Sequence, residues 1–267
     1  MTSETLRLRI FAGPNGSGKS SIINSIRSYT KENGIPLDFG IYLNADDIAK
    51  ELRGVGCEIS NYQFSFDEEA FISIVTDSGL LIGDLNPSRL KSIFRVKGNC
   101  VVLLNQSYCE RFAQLLATYI RTILIREKKK FSFETVFSHE GKIEFMRDAI
   151  SQGYKVYLYF VSTEDPEINV YRVKEVRVKQ KGHDVPEDKI RSRYFRSMDL
   201  MFQASQLAYR SYYFDNSAEG KDFNLFASFK LAKDNSKHWE IKEVSRVPIW
   251  FRNYYSTKVS KRYKNNN

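Results

Sequence analysis

The sequence predicts an α/β fold built on a doubly wound, mostly parallel sheet flanked by helices. Apolar runs with strand character alternate with segments of helical periodicity along most of the chain, and this alternation is typical of parallel sheets. A glycine-rich turn joins the first such strand to the first helix. The run YKVYLYFV at 154–161 is apolar nearly throughout, as expected of a parallel strand covered on both faces.

The N-terminal segment has the order strand, helix, strand, helix. LRLRIFA at 6–12 predicts a strand. The isoleucines within 19–31 form one stripe of a helix. A short strand, GIYL at 40–43, is followed by NADD and by a helix beginning near Ile48. This order indicates a parallel sheet with helical connections.

The next segment interrupts the alternation. Residues 67–78 and 108–127 are predicted to be helical. Between them, residues 79–107 hold short apolar runs separated by glycines and by Asn86-Pro87, which are typical breaks. We interpret 79–107 as an insertion that contains a small hairpin.

The alternation then resumes and ends in a different pattern. The predicted elements are a strand at 131–137, a helix at 141–152, a strand at 154–161, helices at about 165–180 and 187–209, and a strand at 211–217. Phe223–Leu231 and His238–Val244 alternate as an antiparallel hairpin does. We therefore divide the chain into a main domain over 1–218 and a small basic β-hairpin extension over 219–267.

The charge distribution is uneven. The formal net charge is +9, and residues 221–267 carry +7 of it through eleven Lys or Arg and four Asp or Glu. A basic segment of this kind attracts nucleic acid or anionic lipid, or it simply keeps an edge soluble. Its basic residues follow no recognisable nucleic-acid module, so nucleic acid bound through this segment is the less favoured interpretation.

Composition argues for a cytoplasmic protein with no membrane partner. No stretch approaches the roughly 20 apolar residues of a spanning helix, and MTSETLRLRIF lacks the features of a secretory signal. The three cysteines, Cys57, Cys100 and Cys109, form no CxxC pair, which argues against zinc. We expect them to be small buried or half-buried apolar residues.

The segment GPNGSGKS at 13–20 fits the phosphate-binding pattern GxxxxGK[ST] without a mismatch. Its glycines allow backbone N–H groups to cradle phosphate oxygens at the start of a helix. Lys19 would contact the β- and γ-phosphates and Ser20 would bind Mg²⁺. The nucleotide is ATP or GTP, because nothing in the sequence indicates which base is bound. The residues expected to bind it are Gly13, Pro14, Asn15, Gly16, Ser17, Gly18, Lys19, Ser20 and Ser21.

Carboxylates near strand ends are the candidates for chemistry on the acceptor, because ligands of open α/β sheets sit at the carboxyl edge of the strands. Asp46 and Asp47 follow the strand 40–43, and either one could instead cap the next helix. Glu134 lies among phenylalanines, and its burial favours a function over simple pairing with a neighbouring base. No hydrophobic strand ending in aspartate and no guanine-specificity motif is evident, which favours a small-molecule kinase.

Five arginines lie on either side of the helix break KGHDVP at 181–186 and predict a lid that closes on phosphate. Arginine suits this role because its planar fork binds phosphate oxygens in pairs. Arg177 and Arg193 are the strongest candidates, and most of the others are expected to be surface charges. The five are Arg172, Arg177, Arg191, Arg193 and Arg196.

These motifs, in order, resemble the zeta-toxin family of P-loop kinases. The resemblance covers about residues 6–218 and rests on the runs AGPNGSGKS, LNADDIA, KFSFETVFSH, GYKVYLYFVSTEDPEINVYRV, RVKQKGHDVPEDKIRSRYFRS and FDNS. It implies a P-loop kinase fold. It also implies transfer of the γ-phosphoryl group of ATP, with Mg²⁺, to the 3′-hydroxyl of a UDP-linked N-acetyl amino sugar, and an antitoxin protein as partner.

Residue by residue, the resemblance assigns roles to the candidates. Lys19 and Ser20 match the phosphate-loop residues, and Asp46 matches the base that acts on the sugar hydroxyl. Glu134 matches a substrate-contacting acid, beside Thr135. The phosphate-clamping arginines match the 172–193 region, with Arg177 catalytic and Arg172 and Arg193 binding substrate.

The chain also departs from the family. The toxins carry an Asp-x-Asp-like pattern where this chain has Asn44 at the first position. The segment 79–107 and the basic hairpin have no counterpart. Alternative functions therefore stay open: a polynucleotide or nucleoside kinase, or a non-catalytic, nucleotide-dependent regulatory protein.

Overall fold

The computed structural model describes residues 5–28, 36–177, 184–220, 223–241 and 246–260. The chain forms two compact units. The first contains Met1–Phe39 and Ser132–Asn267, and the second contains Gly40–Phe131.

Strands and helices alternate along most of the chain. The strands are β1 (Arg7–Ala12), β2 (Ile41–Leu43), β3 (Cys57–Glu58), β4 (Phe94–Lys97), β5 (Cys100–Leu103), β6 (Phe131–Thr135), β7 (Lys155–Ser162), β8 (Arg210–Asp215), β9 (Asn224–Leu231) and β10 (Lys237–Ile241). The helices are α1 (Lys19–Ser28), α2 (Ala45–Arg53), α3 (Glu68–Asp77), α4 (Pro87–Ile93), α5 (Cys109–Arg126), α6 (Gly141–Ser151), α7 (Pro166–Tyr171), α8 (Glu187–Leu207) and α9 (Ile249–Phe251).

The first unit is built on a sheet whose strands follow one another in the order β10-β9-β8-β7-β1-β6. β7 runs parallel to β1 on one side and to β8 on the other. β9 lies antiparallel to β8, and β10 lies antiparallel to β9. The predicted α/β fold with parallel central strands is confirmed, and the predicted hairpin continues this sheet.

One face of this sheet is covered by the C-terminal part of the chain. The Ser162 hydroxyl lies 3.3 Å from the Met198 sulfur of α8. Trp250 is 1% exposed and its ring packs near Phe160. Its indole Nε1 donates to Asp215 Oδ1 at 2.9 Å, and its backbone N–H donates to a carboxylate oxygen of Glu164. The segment around Trp250 is therefore part of the core.

The second unit packs its helices around a cluster of aromatic rings. α5 lies against α2 and α3. The rings of Phe66, Phe71, Phe94, Phe112 and Tyr119 meet at centroid distances of 5.2 to 6.2 Å, mostly edge to face, as aromatic pairs prefer. A small antiparallel sheet, β3-β5-β4, completes the unit.

The insertion predicted at 79–107 contains the expected hairpin, formed by β4 and β5. It also contains a helix, α4, that we did not predict. Asn86-Pro87 was interpreted as a break, but the Asn86 side chain caps this helix by accepting from the Arg89 N–H at 2.8 Å, and Pro87 occupies its first turn. Proline at that position leaves no hydrogen bond unmade.

Other predicted boundaries shift. The helix predicted near Ile48 begins at Ala45. The helix predicted over 165–180 is α7 followed by a π-helical turn at Arg172–Arg177. Much of the KGHDVP break lies outside the described residues. Among the helices that are described, none has the length and apolar character needed to cross a membrane.

Candidate functional site

The predicted phosphate-binding loop joins β1 to α1 and depends on glycine at two positions. Gly13 has φ +146°, and a Cβ there would lie 2.0 Å from the Val161 carbonyl oxygen. Gly18 has φ +92°, and a Cβ there would lie 2.2 Å from the Asn216 side-chain nitrogen. These backbone torsions are rare in other residues, and the contacts leave no room for a side chain.

Two asparagines outside the loop hold its backbone. The Asn169 side-chain amide donates to the Asn15 carbonyl at 2.5 Å. The Asn216 amide donates to the Ser17 carbonyl at 2.9 Å. In a trans peptide the N–H points opposite to the C=O, so these bonds aim the next N–H groups, of Gly16 and Gly18, away from the asparagines. An array of aimed N–H groups is what an anion site needs.

These asparagines are themselves fixed. Asn169 is fully buried, and its side-chain oxygen accepts from the Thr163 hydroxyl. The Asn216 carbonyl accepts from Arg172 Nη1 at 2.8 Å. Neither asparagine was predicted to have a role. Both lie inside the runs that carry the zeta-toxin resemblance, and no local motif marks either of them, because their partners lie more than 150 residues away.

Lys19, Ser20 and Glu134 come together at the start of α1. Lys19 is 7% exposed and donates to the Pro14 carbonyl at 2.9 Å. Its ammonium lies 3.9 Å from Glu134 Oε1. The Ser20 hydroxyl donates to Glu134 Oε2 at 3.2 Å. Residues distant in sequence thus place a cation, a hydroxyl and a carboxylate next to the loop.

The Ser20 and Glu134 side chains fit a magnesium ion. Mg²⁺ prefers oxygen ligands and usually keeps several waters, with only one or two protein groups and the substrate phosphates completing its shell. A hydroxyl and a carboxylate in contact supply such oxygens. Within the described ranges, no group of three or more His, Cys, Asp or Glu side chains is arranged so that it could hold a metal ion.

The remaining loop residues are mostly buried. The Asn15 Oδ1 and Ser17 Oγ atoms are buried without a hydrogen-bond partner among the described residues, and such atoms favour a ligand. Ser21, also expected to bind nucleotide, is exposed. The Thr135 hydroxyl accepts from the Phe137 N–H at 3.3 Å, so it shapes the turn after β6.

In the second unit, Asp46 and Asp47 occupy the first turn of α2, but neither caps it. The cap is Asn44, whose side chain accepts from the Asp46 N–H at 3.0 Å. The capping alternative for the two aspartates is therefore wrong. An asparagine where the toxins carry an aspartate does the capping instead.

A polar cavity of about 400 Å³ lies beside this helix. Asn44, Asp47 and Glu51 form one wall, and Asp46 does not line the cavity. Burial raises the pKa of the Tyr62 hydroxyl in the cavity lining, and the neighbouring Cys57 and Glu51 add to the effect. Tyr62 therefore stays a neutral hydroxyl at ordinary pH. Amide, carboxylate and hydroxyl groups together suit a ligand rich in hydroxyl or amide groups.

The predicted lid arginines differ in their contacts. Arg172 binds the Asn216 carbonyl, so it supports the loop. Arg191 pairs with Glu167 through two nitrogens, at 2.6 and 2.8 Å, which makes it a surface ion pair. Arg193 is half-buried, and burial lowers its pKa, with Arg196 adding to the shift. The Arg177 side chain lies outside the described part of the chain.

Fold and site define an α/β protein with a glycine-dependent loop between a buried strand and a helix. No family model matches the chain. An uncharacterized protein of Haemophilus influenzae is 28% identical over 130 residues, which is 49% of this chain and 80% of the relative.

Solved structures share the fold. The native AvrRxo1-ORF1:-ORF2 complex matches with a TM-score of 0.53 and 14% identity, over 90% of this chain and 62% of that one. The same complex with sulphate ions matches with a TM-score of 0.50 and 13% identity, over 91% and 62%. The chain thus spans less than two thirds of the solved chain. Membership of the zeta-toxin family stays a prediction.

Substituting Gly18 by alanine tests the loop geometry. We expect ATP affinity to fall by about tenfold or more, because strained torsions cost on the order of 1–3 kcal/mol and the new Cβ would displace the Asn216 amide. Gly79→Ala is the matched control, since Gly79 also has positive φ but meets nothing within 4 Å. Calorimetric titration with ATP measures both. Equal affinities in the two variants would contradict a role for this contact.

Proposed function

We propose that this protein is a kinase that transfers the γ-phosphoryl group of ATP to a hydroxyl group of a small molecule. The observation that carries the proposal is the convergence of Lys19, Ser20 and Glu134 beside a loop whose carbonyls are held by Asn169 and Asn216. Phosphoryl transfer needs positioning and charge stabilisation more than covalent chemistry, and this arrangement supplies both.

Each residue has a place in the transfer. Lys19 stabilises negative charge on the phosphates, and the loop N–H groups orient them. A magnesium ion held by Ser20 and Glu134 would neutralise phosphate charge. Asp46 accepts the proton of the acceptor hydroxyl as that oxygen forms its bond to the γ-phosphorus, while the bond from phosphorus to the β,γ-bridging oxygen breaks and ADP leaves. Arg177 and Arg193 are proposed to close on the transferring group.

For the acceptor we propose a sugar nucleotide such as a UDP-linked N-acetyl amino sugar. The zeta-toxin resemblance motivates this choice. The polar cavity of the second unit supports it, because Asn44, Asp47, Glu51 and Tyr62 can bind hydroxyl and amide groups. Nucleosides and nucleic-acid ends are the alternative acceptors.

A protein partner forms part of the proposal. The structures that share the fold are complexes of two gene products, AvrRxo1-ORF1 and -ORF2, and the resemblance implies an antitoxin for this chain. We propose ATP, and not GTP, as the phosphoryl donor because the zeta-toxin resemblance implies ATP.

The test is phosphoryl transfer from γ-labelled ATP, with Mg²⁺, to a panel of UDP-sugars, nucleosides and oligonucleotide 5′-hydroxyl ends, with Lys19→Met as the blank. Transfer to an N-acetyl amino sugar supports the full proposal. Transfer only to another class keeps the kinase and replaces the acceptor. ATP binding without transfer to any acceptor favours a regulatory protein and overturns the proposal.

A further inference from the structure

One face of the first unit's sheet collects basic and tyrosine side chains. Side chains two apart on a strand share a face, and the register aligns them across strands. Arg9 pairs with Tyr157, Tyr157 with Arg210, and Arg210 with Lys230, which makes one row across four strands. We call this set the basic tyrosine face, and its members are Arg9, Lys155, Tyr157, Arg210, Tyr212 and Lys230.

Most of this face is open to solvent, whereas Arg9 is buried. Lys155 and Lys230 are exposed, and Tyr157, Arg210 and Tyr212 are half-buried. The opposite face is the one against which α8 and the Trp250 segment pack. The rows lie near the beginning of β1 and β7, whereas the phosphate-binding loop follows the end of β1. The basic tyrosine face is therefore a surface separate from the proposed kinase site.

The cations of the basic tyrosine face contact aromatic rings more often than carboxylates among the described residues. The Arg9 guanidinium lies 5.5 Å from the Tyr157 ring centre, and that of Arg210 lies 4.9 Å from the Tyr212 ring centre. The Lys155 ammonium lies 4.7 Å from the ring centre of Tyr209. These are cation–π distances. Such contacts keep the cations in place without neutralising them.

The positive charge is incompletely balanced. Arg9 is 3% exposed, and its Nε and Nη1 have no hydrogen-bond partner in the described part of the chain; Arg210 Nε is in the same state. Glu240 lies at this edge, and its Oε2 is 3.9 Å from Arg210 Nη2. Buried donors without acceptors are costly, and they add to the positive charge beneath this face. Lys155, Arg210 and Lys230 are accessible, so a ligand rich in anionic oxygens can reach them.

We propose that the basic tyrosine face binds single-stranded nucleic acid. Proteins that bind single strands combine cations for the backbone with aromatic rings on which bases stack. The accessible part of this face supplies both, as cations in Lys155, Arg210 and Lys230 and as rings in Tyr157 and Tyr212. An acidic protein segment would bind the cations, but its carboxylates would not stack on the tyrosine rings. The basic tyrosine face could not be predicted from the sequence, because its rings come from strands that are far apart in the chain.

The experiment is fluorescence anisotropy with labelled oligouridylate and oligothymidylate of about 12 nucleotides, within the range of known site sizes. Each phosphate contact contributes about −0.7 to the slope of log affinity against log salt for single strands. With three contacts, from Lys155, Arg210 and Lys230, we expect a slope of about −2. An abasic oligonucleotide of equal length should bind at least about fivefold more weakly, because it cannot stack.

The variant is Lys155→Ala with Lys230→Ala, both exposed and neither part of the proposed kinase site. We expect about tenfold weaker binding and a slope shallower by about 1.4, with unchanged thermal unfolding and unchanged phosphoryl transfer. Lys91→Ala with Lys97→Ala removes two exposed charges from the second unit as the matched control. Three results would overturn the proposal. They are no binding of either oligonucleotide at about 50 mM salt, an equal loss of affinity in the two double variants, and equal affinity of the wild-type protein for the abasic and the normal strand. Competition by polyglutamate as effective as by RNA would indicate an acidic protein partner instead.

Discussion

Replacing Lys19 with methionine is expected to lower the rate of phosphoryl transfer by about 10³-fold, as removal of one preorganised charge-stabilising group does elsewhere. Lys19 is 7% exposed and is held between the Pro14 carbonyl and Glu134, so its ammonium is fixed where the proposal places the phosphates. Methionine keeps much of the stem volume and removes the charge. The loss should therefore arise from the missing charge and not from unfolding.

The measurement is single-turnover transfer from labelled ATP to the acceptor that the panel identifies, alongside thermal unfolding. Lys189→Met is the matched control, because Lys189 is exposed on α8 and has no place in the proposed transfer. The expected rate of Lys19→Met is about a thousandth of the wild-type rate. If the variant kept more than about a tenth of the wild-type rate, the proposed role of Lys19 would be wrong.

Asp46→Asn is expected to lower kcat by about 10³-fold while ATP binding stays nearly unchanged, because a general base contributes on the order of 10²–10⁴ to rate. Asn44, not Asp46, caps α2, so the substitution leaves the cap intact. It does remove one carboxylate from the first turn, where negative charge is favourable. That change costs stability of about 0.3–1 kcal/mol, too little to explain the expected loss.

Asp47→Asn is the matched comparison for Asp46→Asn. It removes the same charge from the same turn, but Asp47 lines the polar cavity and Asp46 does not. We expect Asp47→Asn to raise the acceptor KM and to change kcat far less. The reverse pattern, with kcat lost in Asp47→Asn and retained in Asp46→Asn, would transfer the role of base to Asp47. Equal small effects in both variants would favour a regulatory protein.

Local patterns predicted much of this fold. Strands β1 and β7 and the loop Gly13–Ser20 follow from apolar runs and from glycine spacing, because each depends on neighbours in the sequence. Placing Glu134 near Lys19 required only the rule that strand ends meet at one edge, and the structure brings the two within 3.9 Å. Their chemical roles stay predictions.

Other features depend on contacts that no local pattern encodes. Asn169 and Asn216 act on the loop from far along the chain, and asparagines are common enough to carry no signal alone. The helix α4 was missed because Asn-Pro is typical both of a break and of a helix start. Asn44 looked like a departure from the family, and its capping bond became visible only in the structure.

The contact between Trp250 and Asp215 has a consequence for synthesis on the ribosome. Asn169 and Asn216 are made more than 150 residues after the loop carbonyls that they bind, and Trp250, which binds the residue next to Asn216, is made later still. A nascent chain therefore carries the complete GPNGSGKS motif long before it can hold that motif in shape. The proposed nucleotide binding should appear only after Trp250 has been made, and fragments that end before Asn169 should lack it.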